Sequence, residues 1–330
     1  MLISLAAVVA GLALLIWSAD RFVDGAAAVA QLLGISTLII GIIVVGFGTS
    51  APEIGVSVIA VLENTPGIAI GNALGSNIAN IGLILGITAI LVPVPVESRL
   101  LKTEFPLLIF ATAVMGWCLY DLQLDRLEGS LLVGLLVAML YYLIRQHRQH
   151  PGEYAQYDSD TLELAEDHIE PDGMTLPQAL FWIVLGLVLL IVSSKTLVWG
   201  ASNIAREFGI SELIIGLTIV ALGTSLPELA ASIASLKKNV PDVAIGNVIG
   251  SNLFNSLAVI GIPALLTPFA FERSALTRDL PVVIGLTVLL VLMSRFPGAL
   301  PRFLTRTKGV FLFAAFVIYQ LYLYYAVIAG

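Results

Sequence analysis

Apolar residues fall into ten long runs, each near the roughly 20 residues that a bilayer-spanning helix needs. The runs cover 2–19, 38–62, 68–92, 104–120, 128–146, 177–200, 212–236, 243–267, 279–295 and 308–328. The longest polar stretch, His147 to Met174, separates five runs from five. The pattern predicts an all-α integral membrane protein with ten transmembrane helices. No basic residue precedes the run Leu2 to Trp17, and no small-residue cleavage site leads into a soluble chain. It therefore reads as the first spanning helix, not a signal peptide.

Orientation follows from Lys and Arg near the span ends. With the N-terminus outside, the inner positions hold Arg21, Arg99, Lys102, Arg145, Arg148, Lys237, Lys238, Arg295, Arg302, Arg306 and Lys308. The outer positions hold only Arg126, Lys195, Arg206, Arg273 and Arg278. The bias predicts an external N-terminus and a cytoplasmic central loop, in a cell membrane.

Composition agrees. Of 330 residues, 58% are hydrophobic and 12% charged, against about 25% charged in soluble domains. So few charges cannot cover a soluble surface, and fibrous, disordered and disulfide-rich secreted classes are excluded. The single cysteine, Cys118, cannot form an internal disulfide. A net charge of −7 argues against nucleic-acid binding. Many of the acids crowd the central loop, among them Glu153, Asp158, Asp160, Glu163, Glu166 and Asp167. This stretch reads as a solvated linker, too short for a β-sandwich regulatory domain of about 100 residues. No nucleotide, phosphate or protease motif appears, and the spans carry no nucleophile–base pair, so an enzyme is not expected.

The chain repeats itself at an offset of 175 residues. LIIGIIVVGFGTSAPE (38–53) aligns with LIIGLTIVALGTSLPE (213–228), and AIGNALGSNIAN (69–80) with AIGNVIGSNLFN (244–255). From Gly11 to Pro93, 39 of 83 aligned pairs are identical without a gap. The organisation is then a first repeat at 1–146 with its core motif at 38–93, an acidic cytoplasmic loop at 147–175, and a second repeat at 176–330 with its core motif at 213–268. An odd number of spans per copy makes the second enter the membrane from the opposite side. Inverted repeats of this kind build transporters whose substrate sites lie near the midplane.

Glu53 and its mate Glu228 lie deep within apolar runs. A carboxylate at the bilayer centre costs roughly 3 kcal/mol or more and usually marks an ion or proton pathway. A packing hydrogen bond would explain one such glutamate, but not two in the same Thr-Ser-x-Pro-Glu setting. On a helix, Gly46, Thr49, Ser50 and Glu53 share a face, as do Ala221, Thr224, Ser225 and Glu228. Pro52 and Pro227 lack an N–H, so the carbonyls of Gly48 and Gly223 lose their helical donors. Asn72, Ser76 and Asn80 share a face of the next run, and Asn247, Ser251 and Asn255 repeat it. Gly71, Gly75, Gly246 and Gly250 read mainly as close-packing positions. The inventory is carboxylate, amide oxygen, hydroxyl and carbonyl. Such hard ligands suit Ca²⁺, and Na⁺ in the same cage. Two carboxylates neutralise one Ca²⁺ or two Na⁺, which makes competition for one site a natural coupling scheme. The first and sixth spans, whose interiors carry no ligand candidates, are expected to slide against the rest.

GTSAPE with GNALGSNIAN, and GTSLPE with GNVIGSNLFN, resemble the two alpha repeats of sodium/calcium exchangers in the cation/calcium exchanger superfamily. The resemblance is greatest to prokaryotic exchangers without large regulatory domains and covers nearly the whole chain. It implies ten transmembrane helices as 5+5 inverted-topology repeats and electrogenic exchange of Na⁺ for Ca²⁺. Carried over by position, Glu53 and Glu228 match the central calcium ligands, and Thr49 and Thr224 match residues that offer carbonyls and hydroxyls. Ser50, Ser225, Ser76 and Ser251 match flanking sodium ligands. Gly46 and Ala221 sit where relatives offer a backbone carbonyl, and Asn80 matches the family asparagine. Some relatives carry Asp where this chain has Asn255, so K⁺ co-transport does not follow. Proton-coupled relatives tend to place a glutamate after the second motif's GN. Ala73-Leu74 and Val248-Ile249 stand there, which favours Na⁺ coupling. The rival readings are a Ca²⁺/H⁺ antiporter and a cation channel. The expected partners are Ca²⁺, Na⁺ and the lipid bilayer, with no cofactor, nucleic acid or obligatory protein partner.

Overall fold

The computed structural model of the chain describes residues 1–96, 98–149, 173–209, 221–295 and 302–328. Residues 150–172 of the acidic loop and residues 210–220, where the seventh run begins, lie outside the described residues. In chain order the long helices are α1 (Leu2–Leu33), α2 (Thr37–Leu62), α3 (Pro66–Leu91), α4 (Leu100–Cys118) and α5 (Arg126–Gln149). The second set is α6 (Leu176–Glu207), α7 (Leu226–Lys237), α8 (Pro241–Leu266), α9 (Ala275–Arg295) and α10 (Arg306–Ile328). A single helical turn, Ala221–Thr224, precedes α7. Nine helices among the described residues are long and apolar enough to cross a membrane. α7 is the remainder of the seventh predicted span.

Local chemistry sets the helix ends. Ser36 Oγ accepts the Ile39 N–H at 3.3 Å and starts α2. Thr175 and Gln178 form a capping box at the start of α6. Gly34 closes α1 in the left-handed region, at φ 61°, where glycine has no Cβ penalty.

α1 and α6 each run 32 residues, about 48 Å at 1.5 Å per residue and well beyond a 30 Å hydrocarbon core. The first apolar run ends at residue 19, yet α1 continues to Leu33. Two of the charged residues that follow the run, Arg21 and Asp24, have partners. Lys238 Nζ lies 2.6 Å from Asp24. The Arg21 guanidinium lies 5.9 Å from the Trp17 ring and 5.3 Å from the Trp182 ring, a cation–π arrangement.

The chain packs as two compact units: Met1–Thr49 with Leu140–Gly250, and Ser50–Met139 with Ser251–Gly330. Each draws on both repeats, and the divisions cut α2 and α8 beside the candidate site residues.

In the first unit α1 lies along α6 with glycines at the crossing points. A Cβ on Gly11 would meet Leu197 at 2.9 Å, and one on Gly186 would meet Phe22 at 2.9 Å. Gly25 faces Ala179 and Gly200 faces Ser4. Adding 175 to each member of one pair gives the other pair, with the two helices exchanged. Partner numbers on α6 fall as those on α1 rise, so the equivalent helices run antiparallel. That is the inverted topology expected from an odd number of spans per repeat. Phe22, Val23, Leu190, Ala231 and Ala234 form the apolar core here.

The second unit interlocks the repeats. A Cβ on Gly86 of α3 would lie 3.0 Å from the Phe313 backbone of α10. Gly129 of α5 meets Leu265 of α8 in the same way, at 2.6 Å. Two short antiparallel ladders repeat this exchange. β1 (Val94–Val96) pairs with β4 (Arg302–Leu304), and β2 (Gln123–Leu124) with β3 (Phe269–Ala270).

These contacts predict that Gly186→Ile lowers stability by on the order of 1–3 kcal/mol, the cost of overpacking. Gly134→Ile, where no described atom lies within 4 Å, should change it little. Thermal melts in detergent check this; equal melting temperatures would contradict the packing.

Candidate functional site

Glu53 is placed by a helix that departs from regular α geometry twice. A π-helical turn, Gly41–Val45, leads into Gly46, and Pro52 lies within the following helical stretch. π-turns inside helices are frequent at functional sites. Gly46, Thr49, Ser50 and Glu53 are all buried, and Glu53 is 1% exposed. The Ser50 hydroxyl and both Glu53 carboxylate oxygens have no hydrogen-bond partner among the described residues.

The second copy is built differently. The helix stops at Thr224 and resumes at Leu226, with Ser225 between at φ −91° and ψ 4°. Pro227 sits in the first turn of α7, where a missing N–H costs nothing. The single helical face expected for Ala221, Thr224, Ser225 and Glu228 is therefore interrupted. Ser225 and Glu228 are buried and Thr224 is half-buried. The Gly223 carbonyl, expected to be released by Pro227, accepts the Ser194 hydroxyl of α6 at 2.7 Å. The residue equivalent to Ser194 is Ala19, so the first repeat cannot copy this bond.

α3 and α8 carry the amides. Each loosens into a π-turn that begins at a candidate asparagine, Asn80–Leu85 and Asn255–Val259. Ser76, Asn80, Ser251 and Asn255 are buried. Both amide atoms of Asn80 and the Oδ1 of Asn255 are without hydrogen-bond partners among the described residues. Asn77 Nδ2 donates to Ser256 Oγ at 3.0 Å, joining α3 to the α8 π-turn.

Asn72 and Asn247, expected as oxygen donors on the same faces, use their amide N–H groups differently. Asn72 Nδ2 donates to the Glu53 carbonyl at 3.0 Å and to Ser57 Oγ at 2.9 Å. Asn247 Nδ2 donates to the Glu228 carbonyl at 3.1 Å and to Ser232 Oγ at 3.0 Å. These asparagines hold the main chain of the glutamates. Ser57 and Ser232 were not among the expected residues, although they too stand 175 apart. Ser194 and Ser256 have no hydroxyl counterpart in the other copy, so the repeat gave no signal for them.

Of the close-packing glycines, Gly246 and Gly250 meet the backbone of Leu38 and Ile42. A Cβ on Gly71 or Gly75 would meet no packed neighbour within 4 Å among the described residues; the corresponding residues, 213 and 217, lie outside the described residues. Two charged residues near span ends are buried. Glu104 is one, and Asp279 is held by Arg278 at 2.6 Å and by Tyr319 Oη at 2.9 Å.

Ser50, Glu53, Ser76, Asn80, Ser251 and Asn255 thus fall in the second unit, and Gly46, Thr49, Ala221, Thr224, Ser225 and Glu228 in the first. A buried polar group without a hydrogen bond is costly and requires an explanation. In the second unit most of these atoms are oxygens, and hard oxygens without donors suit a hard cation.

Inverted five-helix repeats, with a carboxylate sunk in a broken or π-distorted helix of each, define a multi-pass membrane transporter. The family model described as sodium/calcium exchanger protein matches residues 3–145 and 178–325. The candidate antiporter CaxA of Alkalimonas amylolytica is 46% identical over 98% of this chain and 99% of its own. Sodium/calcium exchanger MaX1 of Methanosarcina acetivorans is 29% identical over 96% of this chain and 97% of its own. The solved structure of the sodium-calcium exchanger NCX_Mj soaked with 2.5 mM Na⁺ and 0.1 mM Ca²⁺ superposes with a TM-score of 0.78. It is 30% identical and covers 96% of each chain. The chain belongs to the sodium/calcium exchanger family.

If the bare Glu53 oxygens exist to meet a cation, Glu53→Gln should leave the ion-free protein at least as heat-stable as the parent. The same variant should lose the stabilisation that Ca²⁺ gives the parent, about 2.7 kcal/mol at a hundredfold excess over Kd. Melting curves with and without Ca²⁺ check both; an undiminished Ca²⁺ shift in the variant would contradict the assignment.

Proposed function

We propose that this protein is a secondary antiporter that exports Ca²⁺ across the cell membrane in exchange for Na⁺. The observation that carries the reading is Glu53, whose carboxylate oxygens are buried in a membrane-length helix without a hydrogen-bond donor among the described residues. Glu228 repeats its sequence setting in the second copy. Family membership and the likeness to exchangers of known structure support the choice of ions.

In this reading Glu53 and Glu228 are the carboxylates that neutralise Ca²⁺. Thr49, Thr224, Gly46 and Ala221 add hydroxyl or carbonyl oxygens toward the six to eight that Ca²⁺ takes. Ser50, Ser76, Ser225 and Ser251 offer neutral oxygens to Na⁺, with Asn80 and Asn255 beside them. Ca²⁺ and Na⁺ compete because the same carboxylates must neutralise either. Two Na⁺ balance the charge of one Ca²⁺, so the electrogenic exchange that the resemblance implies needs more than two Na⁺ per Ca²⁺. Alternating access comes from sliding of α1 and α6, which pack on each other along glycines. The Lys and Arg distribution supports an external N-terminus and a cytoplasmic loop at 147–175.

Proteoliposomes loaded with Na⁺ and diluted into Na⁺-free buffer should accumulate radioactive Ca²⁺; matched vesicles loaded with K⁺ or choline should not. Glu53→Gln and Glu228→Gln should each abolish this uptake in folded protein. Uptake driven by a pH step and indifferent to Na⁺ would replace the reading with a Ca²⁺/H⁺ antiporter.

A further inference from the structure

We propose that Asn247 is a positioning residue that ties Glu228 of the second repeat to Thr49 of the first, so that the two are set together. The proposal deepens the exchange reading above and rests on it. Asn247 is fully buried in α8. Its Nδ2 donates to the Glu228 carbonyl at 3.1 Å and to Ser232 Oγ at 3.0 Å. Its Oδ1 lies 3.2 Å from Thr49 Oγ1, within reach of that hydroxyl proton. A primary amide offers two N–H donors and a carbonyl oxygen with two lone pairs, and these three contacts engage both ends of the side chain.

Thr49 makes the arrangement sensitive. Its single hydroxyl proton has competing acceptors within reach, among them Asn247 Oδ1 and the Val45 carbonyl of its own helix at 3.0 Å. Only one can hold the proton at a time. The choice turns the oxygen lone pairs of Thr49 by a rotation of the hydroxyl. Asn247 therefore links the orientation of a first-repeat ligand to the main-chain position of the second-repeat carboxylate. Asn72 makes the two equivalent donor bonds, to the Glu53 carbonyl and to Ser57, so the clamp itself is duplicated. Asn247 adds to that clamp the contact with Thr49.

A double-mutant cycle isolates this link. Asn247→Ala, Thr49→Val and the pair are compared with Asn72→Ala, Thr49→Val and their pair. The readouts are the apparent KM for Ca²⁺ and the maximal rate per folded protein in Na⁺-loaded proteoliposomes. Asn247→Ala should raise KM about tenfold, the scale of losing one or two buried hydrogen bonds, with the maximal rate changed less than about twofold. The pair with Thr49→Val should raise KM no further than the larger single effect, whereas the Asn72 pair should multiply. Multiplying effects in the Asn247 pair, or a loss confined to folded protein with KM unchanged, would overturn the proposal. If Asn247→Ala does not fold, Asn247→Leu replaces it, keeping nearly the same volume without charge while removing the donors and the acceptor. The same cycle is read by thermal melting of the ion-free protein, which needs no transport. Coupling there, with no Na⁺-dependent uptake by the parent, would reject the exchange reading and keep the link. Additive melting shifts would reject the link itself.

Discussion

A carboxylate inside a membrane has to be met by donors, by a proton or by a cation, because neither lipid nor apolar side chains will solvate it. Glu53 is buried with both oxygens outside any hydrogen bond among the described residues, and the surrounding structure follows from that. The Asn72 amide is directed to the Glu53 carbonyl and to Ser57 instead of the carboxylate. An amide pointed at the carboxylate would satisfy it permanently and compete with any ion. Directed at the main chain, it fixes where the carboxylate sits and leaves its charge available. The π-turns at Asn80 and Asn255 and the proline at 52 belong to the same economy, since each loosens regular helix bonding beside the site.

Duplication supplies that arrangement twice, but the copies are not identical. Pro52 lies within a helix that continues through it, while Pro227 starts a new one. The Gly223 carbonyl is held by Ser194, where the first copy has Ala19. Ser256 receives Asn77, and its counterpart is Ile81. α1 and α6 remain close to symmetric, their glycines exchanging partners under the same offset.

Much of this was legible in the sequence, for physical reasons. Lipid demands long apolar runs, so the helices announced themselves, and a repeat with an odd number of spans fixed the inverted topology. Buried charge is expensive enough that Glu53 and Glu228 stood out without any structure. What stayed hidden depends on direction and pairing. Residue spacing placed Asn72 and Asn247 on the right faces but could not tell an amide that faces an ion from one that holds a main chain. Hydropathy ended the first run at residue 19, before Asp20, Arg21 and Asp24, because it counts charged residues as solvated, whereas the fold sets Arg21 against Trp17 and Trp182 and pairs Asp24 with Lys238. Helical periodicity assumed an unbroken helix through Ser225, and the proline two residues on begins a new one.

The most direct test of the central claim is anomalous diffraction from crystals of the protein soaked with Sr²⁺, a heavier stand-in for Ca²⁺. The account predicts a strong peak within about 2.6 Å of a Glu53 carboxylate oxygen, weakened as Na⁺ is raised. Sr²⁺ found only at surface carboxylates, with the Glu53 oxygens bonded to protein donors, would contradict it.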